Sequence, residues 1–323
     1  MFINHISKIK YLLLYFIFYH ILVPPLMAQE AQYQYNFLKL PISAKVAALG
    51  GENISTIEDD QTLMFANPAL AVTNNNFYIG LNYTNYMQGC NFMGISAYKS
   101  IEKKISIGGG IQYMDYGKLK RTDHHNNNLG IFRAKDIAIQ GILAYKLYEN
   151  IVGGITTKFI TSYIDSYNSI AIGVDIGINY YNPEKRISIS AVAKNLGGEI
   201  KAYHSIFGKM PIDMQLGITK QLEGLPLQLS LTVSDLTHFN YKFINHITLG
   251  SELILSKSIW VGAGYNFRKA NEMKLGRGDT ESSHGAGFSV GAGFNLEQIK
   301  LDIAYAKYHA TSNSIVINFI YNI

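Results

Sequence analysis

Side chains able to do acid–base, nucleophilic or metal chemistry are few in this sequence, and they fall where connections rather than regular elements are expected. Downstream of residue 28 the histidines are His124, His125, His204, His238, His246, His284 and His309. Two have an aspartate close by, Asp123 beside His124 and Asp235 shortly before His238. A carboxylate-held imidazole on the rim of a barrel can activate a nucleophile. A zinc site would need three or four of these rings to converge from separate connections, and their spacing fits no familiar ligand pattern. Cys90 is the single cysteine; it has no partner for an intramolecular disulfide and no adjacent base. The glycine-rich stretches at 108–110, 262–264 and 285–293 have the composition of phosphate loops, but no helix pattern follows and strand alternation runs through them. No catalytic residue, metal site or cofactor is therefore expected, and exposed polar connections are the plainer reading of the histidines.

The elements that must carry these residues are strands. The clearest is 169–180, where Ile170, Ile172, Val174, Ile176, Ile178 and Tyr180 alternate with Ala171, Gly173, Asp175, Gly177 and Asn179. A period of two puts the first set on one face and the small or polar set on the other. A polar substitution at Gly177 is accordingly expected to be milder than a charge at Val174. Similar segments occur at 77–86, 91–98, 105–116, 134–146, 151–164, 169–180, 186–195, 213–222, 227–235, 245–255, 259–268, 285–295, 299–307 and 314–323. Fourteen strands of this length fit an all-β fold, an antiparallel transmembrane β-barrel.

Connection lengths support the barrel over a soluble sandwich. Those after the even-numbered strands are short, such as 147–150 and 256–258, whereas 117–133, 196–212 and 269–284 are longer and polar. Outer-membrane barrels keep tight periplasmic turns and longer surface loops, which places both termini in the periplasm. Tyrosines gather near strand ends, among them Tyr83, Tyr86, Tyr98, Tyr145, Tyr180, Tyr305 and Tyr308, where interfacial girdles are expected.

Residues 1–28 read as a signal for export: Lys8 and Lys10 precede an apolar run, and Ala28 offers a small residue before a cut. The run is too short to span a bilayer, and no later stretch approaches the ~20 apolar residues a spanning helix needs. Without Lys8 and Lys10 the chain carries 26 basic and 23 acidic residues, and no basic tract is interleaved with aromatics, so nucleic acid is not an expected partner. Residues 29–76 lack alternation and are rich in small residues and turns; a lumenal hatch is expected, with a periplasmic extension as the alternative. The organisation expected is thus 1–28 signal, 29–76 hatch and 77–323 barrel.

Several stretches together resemble the PorQ outer-membrane barrels of the type IX secretion system, within the wider FadL-like group. They are YNFLKLPISAKVAALGG (35–51), MFANPAL (64–70), GGGIQYMDYGKL (108–119), YYNPEK (180–185) and AYAKYHATSNS (304–314). The hatch motif consists of Asp59 and Asp60 followed by Asn67, Pro68 and Ala69. The resemblance implies a fourteen-stranded barrel with an N-terminal hatch and no catalytic residues. It further implies a place in a cell-surface attachment complex, where the barrel anchors a PorZ-like surface protein near a PorU-like sortase and a PorV-like barrel, and where cargo is joined to lipopolysaccharide. Outer connections bearing His124, His125, Asn127, Arg277 and Asp279 are the candidate partner-binding residues. Two other functions are carried forward: a FadL-like transporter of hydrophobic small molecules, and an outer-membrane hydrolase that would require converging Asp and His.

Overall fold

The computed structural model describes residues 33–57, 60–71, 77–87, 89–102, 104–238, 242–274, 282–309 and 312–323. The export signal, Asp59, Arg277 and Asp279 lie outside the described residues.

Fourteen strands form one closed antiparallel barrel in which each strand pairs with its sequence neighbours and the first pairs with the last. They are β1 Phe77–Asn85, β2 Asn91–Glu102, β3 Ile105–Thr122, β4 Asn128–Tyr148, β5 Ile151–Ile164, β6 Tyr167–Asn182, β7 Ile187–Lys201, β8 Asp213–Gln221, β9 Leu227–Val233, β10 Ile247–Ile254, β11 Ile259–Asn266, β12 Phe288–Asn295, β13 Ile299–Ala306 and β14 Ser314–Asn322. Closure sets Leu81 opposite Phe319 and leaves no open sheet edge. The expected number of strands and their order hold.

Alternation works as the period requires. On β6 Ile172, Ile176 and Ile178 face outward, while Ala171, Asp175 and Asn179 are buried inside. Outward apolar side chains recur around the wall, including Leu81, Ile95, Ile139, Phe159, Leu216, Leu249, Ile303 and Phe319. A belt of this extent cannot face water and suits hydrocarbon. Among the described residues no helix is long and apolar enough to cross a membrane; the strands do so. The tyrosines divide between the two faces: Tyr83, Tyr145, Tyr180 and Tyr305 are exposed on the outside, but Tyr98 and Tyr308 are buried inside, and Tyr86 packs against Tyr308. An aromatic near a strand end has two faces to choose from, so only some of these rings join a girdle.

The barrel is taller on one side. β3 and β4 have 18 and 21 residues against 8 or 9 in β10 to β14. Most of the expected long loop at 117–133 is therefore a paired ribbon, with Lys118 opposite Arg133 and Leu119 opposite Phe132, closed by a short tip at 123–127. Its polar composition suggested a loop because a ribbon standing above the apolar belt needs no apolar alternation. The ladder hydrogen bonds hold it instead. A register shift after Asp115 separates the ribbon from the membrane-spanning part.

The segment 33–71 packs against inward-facing residues of opposite walls, which places it in the lumen. Its short helix α1, Ala44–Ala48, contacts β11 to β14, while the 3-10 turn Pro68–Leu70 contacts β4 to β6. The segment begins at the mouth formed by the connections after the odd-numbered strands: Tyr33 bridges to Lys209, and Tyr35 donates to Glu199 at 2.9 Å near the β7 end. It reaches the opposite end at Asp60, beside the turn that holds Ser256 and Lys257. Ile323, by contrast, donates its backbone N–H to Phe77 at the short-turn end. Among the described residues, Tyr33 and Ile323 therefore lie at opposite ends of the barrel. The cause is that the segment crosses the lumen before β1 begins.

Candidate functional site

Among the described residues, an ion pair and a set of hydrogen bonds fix the lumenal segment to the wall. Lys45 on α1 donates to Glu252 on β10 at 2.8 Å, both side chains almost fully buried, and its ammonium lies 4.3 Å from the centre of the Trp260 ring. The Trp260 indole donates to Asp302 at 2.9 Å. Near Ile42, Asn82 and Asn318 both donate to its carbonyl, at 2.5 and 3.1 Å, and Asn318 also accepts from the Ala44 N–H at the start of α1. Each satisfies a backbone group that the barrel has taken out of water. The wall has its own buried pair: Lys158 on β5 lies 2.7 Å from Asp175 on β6 and 2.7 Å from the Asn195 side chain on β7.

The Asn-Pro-Ala motif is a turn fitted to bare wall. Asn67 accepts from the Ala69 N–H at 3.0 Å and donates to the Ile54 carbonyl at 3.2 Å, and Pro68 occupies the first position of its 3-10 turn, where the missing N–H costs nothing. The turn presses on two glycines. A Cβ at Gly154 would fall on the backbone of Pro68 and Ala69, and one at Gly177 on the Asn67 amide oxygen. Asp60 caps the preceding turn, accepting from the Thr62 N–H at 2.9 Å and its hydroxyl at 2.7 Å. It lines a cavity of about 160 Å³ with Lys257, Trp260 and Asp302. Asp60, Asn67, Pro68 and Ala69 thus lie together in the lumen.

The histidines do not converge. His124 and His125 touch each other with tilted rings at the exposed ribbon tip, 3.9 Å between ring centres. The Asp123 carboxylate is taken by the N–H groups of His125 and Asn127 and by the Asn127 side chain, at 2.8–2.9 Å, so it holds the turn rather than an imidazole. His238 does meet Asp235, Nδ1 to Oδ1 at 2.6 Å. That carboxylate also binds Arg268, while the other ring nitrogen of His238 contacts the Tyr33 hydroxyl. Burial opposes ionisation of Asp235, but Arg268 and His238 outweigh it and hold its carboxyl below the usual range. The Asp–His pair therefore ties the start of the lumenal segment to the connections after β9 and β11, with a phenol where a hydrolase places its nucleophile. His246 is buried and bonded to the Ser234 carbonyl at 2.8 Å. Among the described residues no group of three His, Cys, Asp or Glu could hold a metal ion.

Lys45, Glu252, Lys158, Asp175 and Trp260 were not singled out from the sequence. Their partners lie up to 207 positions apart, and the one local signal was a charge at an inward position of an otherwise small face, as at Asp175.

The architecture of a filled outer-membrane-type barrel is matched by a family model described as "Type IX secretion system membrane protein PorP/SprF", over residues 60–318. The chain belongs to the PorP/SprF family. As a PorP/SprF protein it is an outer-membrane barrel of the type IX secretion system, and the matched span runs from the Asp60 turn to β14. No curated protein matches it in sequence. Among solved structures it is similar to the Pseudomonas putida toluene transporter TodX, with TM-score 0.55 and 11% identity over 86% of this chain and 96% of that one. It is also similar to a Pseudomonas aeruginosa FadL homologue, with TM-score 0.52 and 11% identity over 87% and 97% of the two chains. At that identity the likeness establishes a FadL-like fold for this PorP/SprF protein and nothing of its cargo.

Proposed function

We propose that the protein is a non-catalytic, PorQ-like component of the secretion system that anchors a PorZ-like surface protein through its outer connections. A PorU-like sortase and a PorV-like barrel share the attachment complex, in which cargo is joined to lipopolysaccharide. The observation that carries this reading is the filled lumen: segment 33–71 is tied to the wall by Lys45 on Glu252, by Ser55 on Thr219 and by the Asn82 and Asn318 amides on Ile42, and each neighbouring pair of strands is hydrogen-bonded. Such a plug suits a rigid pedestal for a docked protein. The segment acts as a closed hatch, and the ribbon tip with His124, His125 and Asn127 is exposed at the end of the two long strands, where a partner can meet it. Arg277 and Asp279, on the connection between β11 and β12, complete the candidate docking set.

The FadL-like fold favours a second reading, transport of small hydrophobic molecules past a movable hatch. Replacing 122–128 by a short Gly/Ser linker distinguishes the two. Anchoring requires that the barrel still insert while the surface partner is released from cells and lost from pull-downs of detergent-solubilised outer membranes. Unchanged partner retention, together with loss of labelled fatty-acid uptake on substitution within 67–70, would establish transport instead.

A further inference from the structure

The ribbon of β3 and β4 carries an unbalanced charge on one face. On β4 even-numbered residues such as Ala134, Asp136 and Ala138 are buried in the lumen, so Lys135, Arg133 and Ile131 point outward in line with Ile139 and Ile137. The register brings Lys118 opposite Arg133 and Lys120 opposite Ile131, on the same outward face. Four exposed cations therefore begin one alternation step above Ile137, about 7 Å along the strand from the apolar belt. That is the level of lipid headgroups rather than of open solvent.

The face carries four cations against one carboxylate, that of Asp115. Lys118 and Arg133 stand directly across from each other, an arrangement that costs free energy unless an anion lies between them. Asp115 shares the face, opposite Lys135, and accepts from the Gly117 N–H at 2.9 Å. Asp165 is engaged with Arg121 on the ribbon's other face. Lys135 lies 5.0 Å from the centre of the Tyr163 ring.

We propose that Lys118, Lys120, Arg133 and Lys135 form a binding site for the phosphate groups of lipopolysaccharide in the outer leaflet. Arginine grips a phosphate through two parallel N–H bonds, and lysines add point charges around it. Tyr163 and Ile137 offer the adjoining apolar surface to the acyl chains. The proposal rests on the reading that the long connections face the cell exterior, and it gives the ribbon a task separate from that of its tip: holding the barrel against a particular lipid.

The test uses the full-length barrel in detergent, with diphosphoryl lipid A and its dephosphorylated form as probes and native mass spectrometry and titration as readouts. Diphosphoryl lipid A is expected to bind. Binding should fall about tenfold or more in the variant Lys118→Gln/Lys120→Gln/Arg133→Gln/Lys135→Gln. It should persist in Lys185→Gln/Lys257→Gln, which removes charge at the other end, and when the three ribbon lysines become arginine. Inorganic phosphate at millimolar concentration should not compete, because it lacks the acyl chains. Equal binding by the four-fold variant, or of the dephosphorylated lipid, overturns the proposal; so does capture of an acidic protein by the ribbon without lipid binding. A tag at Asn127 on intact cells separates the underlying orientation. An inaccessible tag sinks the orientation and this lipid assignment together, whereas an accessible tag with charge-independent binding sinks the lipid site alone.

Discussion

Lys45 on the lumenal helix and Glu252 on β10 form an ion pair 2.8 Å long, with side chains exposed by only 1% and 2%. Removing one member of a buried pair leaves the other charge without its counter-ion, at a cost of about 3–5 kcal/mol. Lys45→Met is expected to lower the thermal unfolding midpoint of the barrel in detergent, and Lys45→Met/Glu252→Leu to recover much of the loss. A single variant as stable as the parent would mean that the pair does not hold the segment.

Gly154 and Gly177 answer to the turn at Asn67–Ala69 rather than to the wall alone. Gly154→Val is expected to block correct folding, since the added atoms meet the Pro68 backbone, which cannot move without the whole turn. Gly141→Ala, where a Cβ lies 3.4 Å from a Thr157 hydroxyl, should be tolerated. Val174→Arg on the outward face should impair insertion by ~2–4 kcal/mol. Gly177→Ser, expected from alternation to be the milder change, should also impair it, because its Cβ meets Asn67. Assembly yields measured by heat-modifiable mobility distinguish these cases, and normal yield for Gly154→Val would refute the fit.

The crossing of the lumen by the N-terminal segment predicts a labelling pattern. In a Cys90→Ser background, Asn36→Cys and Asn127→Cys should react with a membrane-impermeant maleimide from the same side, and Glu184→Cys from the other. All three positions are exposed. Reaction of Asn36→Cys together with Glu184→Cys would place the start of the segment at the short-turn end and contradict the path described.

Lys269, on the short helix α2, Phe267–Glu272, at the mouth, has its ammonium 3.9 Å from the centre of the Tyr308 ring. Burial pushes its pKa down to about 8, against the pull of Glu52 and Glu272 and with a further push from Arg268. Below about pH 8 both folded and unfolded chains hold the proton, and the cost of burying the ammonium is fully present. Between about 8 and the ordinary lysine value of ~10.4, only the unfolded chain keeps it, so folding gains stability as pH rises. The gain, discounted for the half-buried side chain, is on the order of 1–2 kcal/mol. The unfolding midpoint should climb over this window in the parent and climb less in Lys269→Met; parallel curves would rule the effect out.

Much of the barrel is written locally in the sequence. Ile170 to Tyr180 alternate with small and polar residues because a strand has two faces and this one divides lipid from lumen, and that information survives in any ten-residue window. The same holds for β5, whose limits, Ile151–Ile164, are those expected from the sequence. The Asn67 turn was legible as a motif, but not the reason for its shape, since Gly154 and Gly177 come under it only when β5 and β6 curve around the lumen. Barrel closure likewise decided that Lys45 meets Glu252 and that Tyr33 meets His238, residues about two hundred positions apart. The polar stretch 117–133 continues as a ribbon for another reason: ladder bonds between β3 and β4 depend on the partner strand, not on any pattern of side chains. Alternation is a property of one strand and can be read along it; contacts across a lumen depend on how fourteen strands tilt and close, which no single segment encodes.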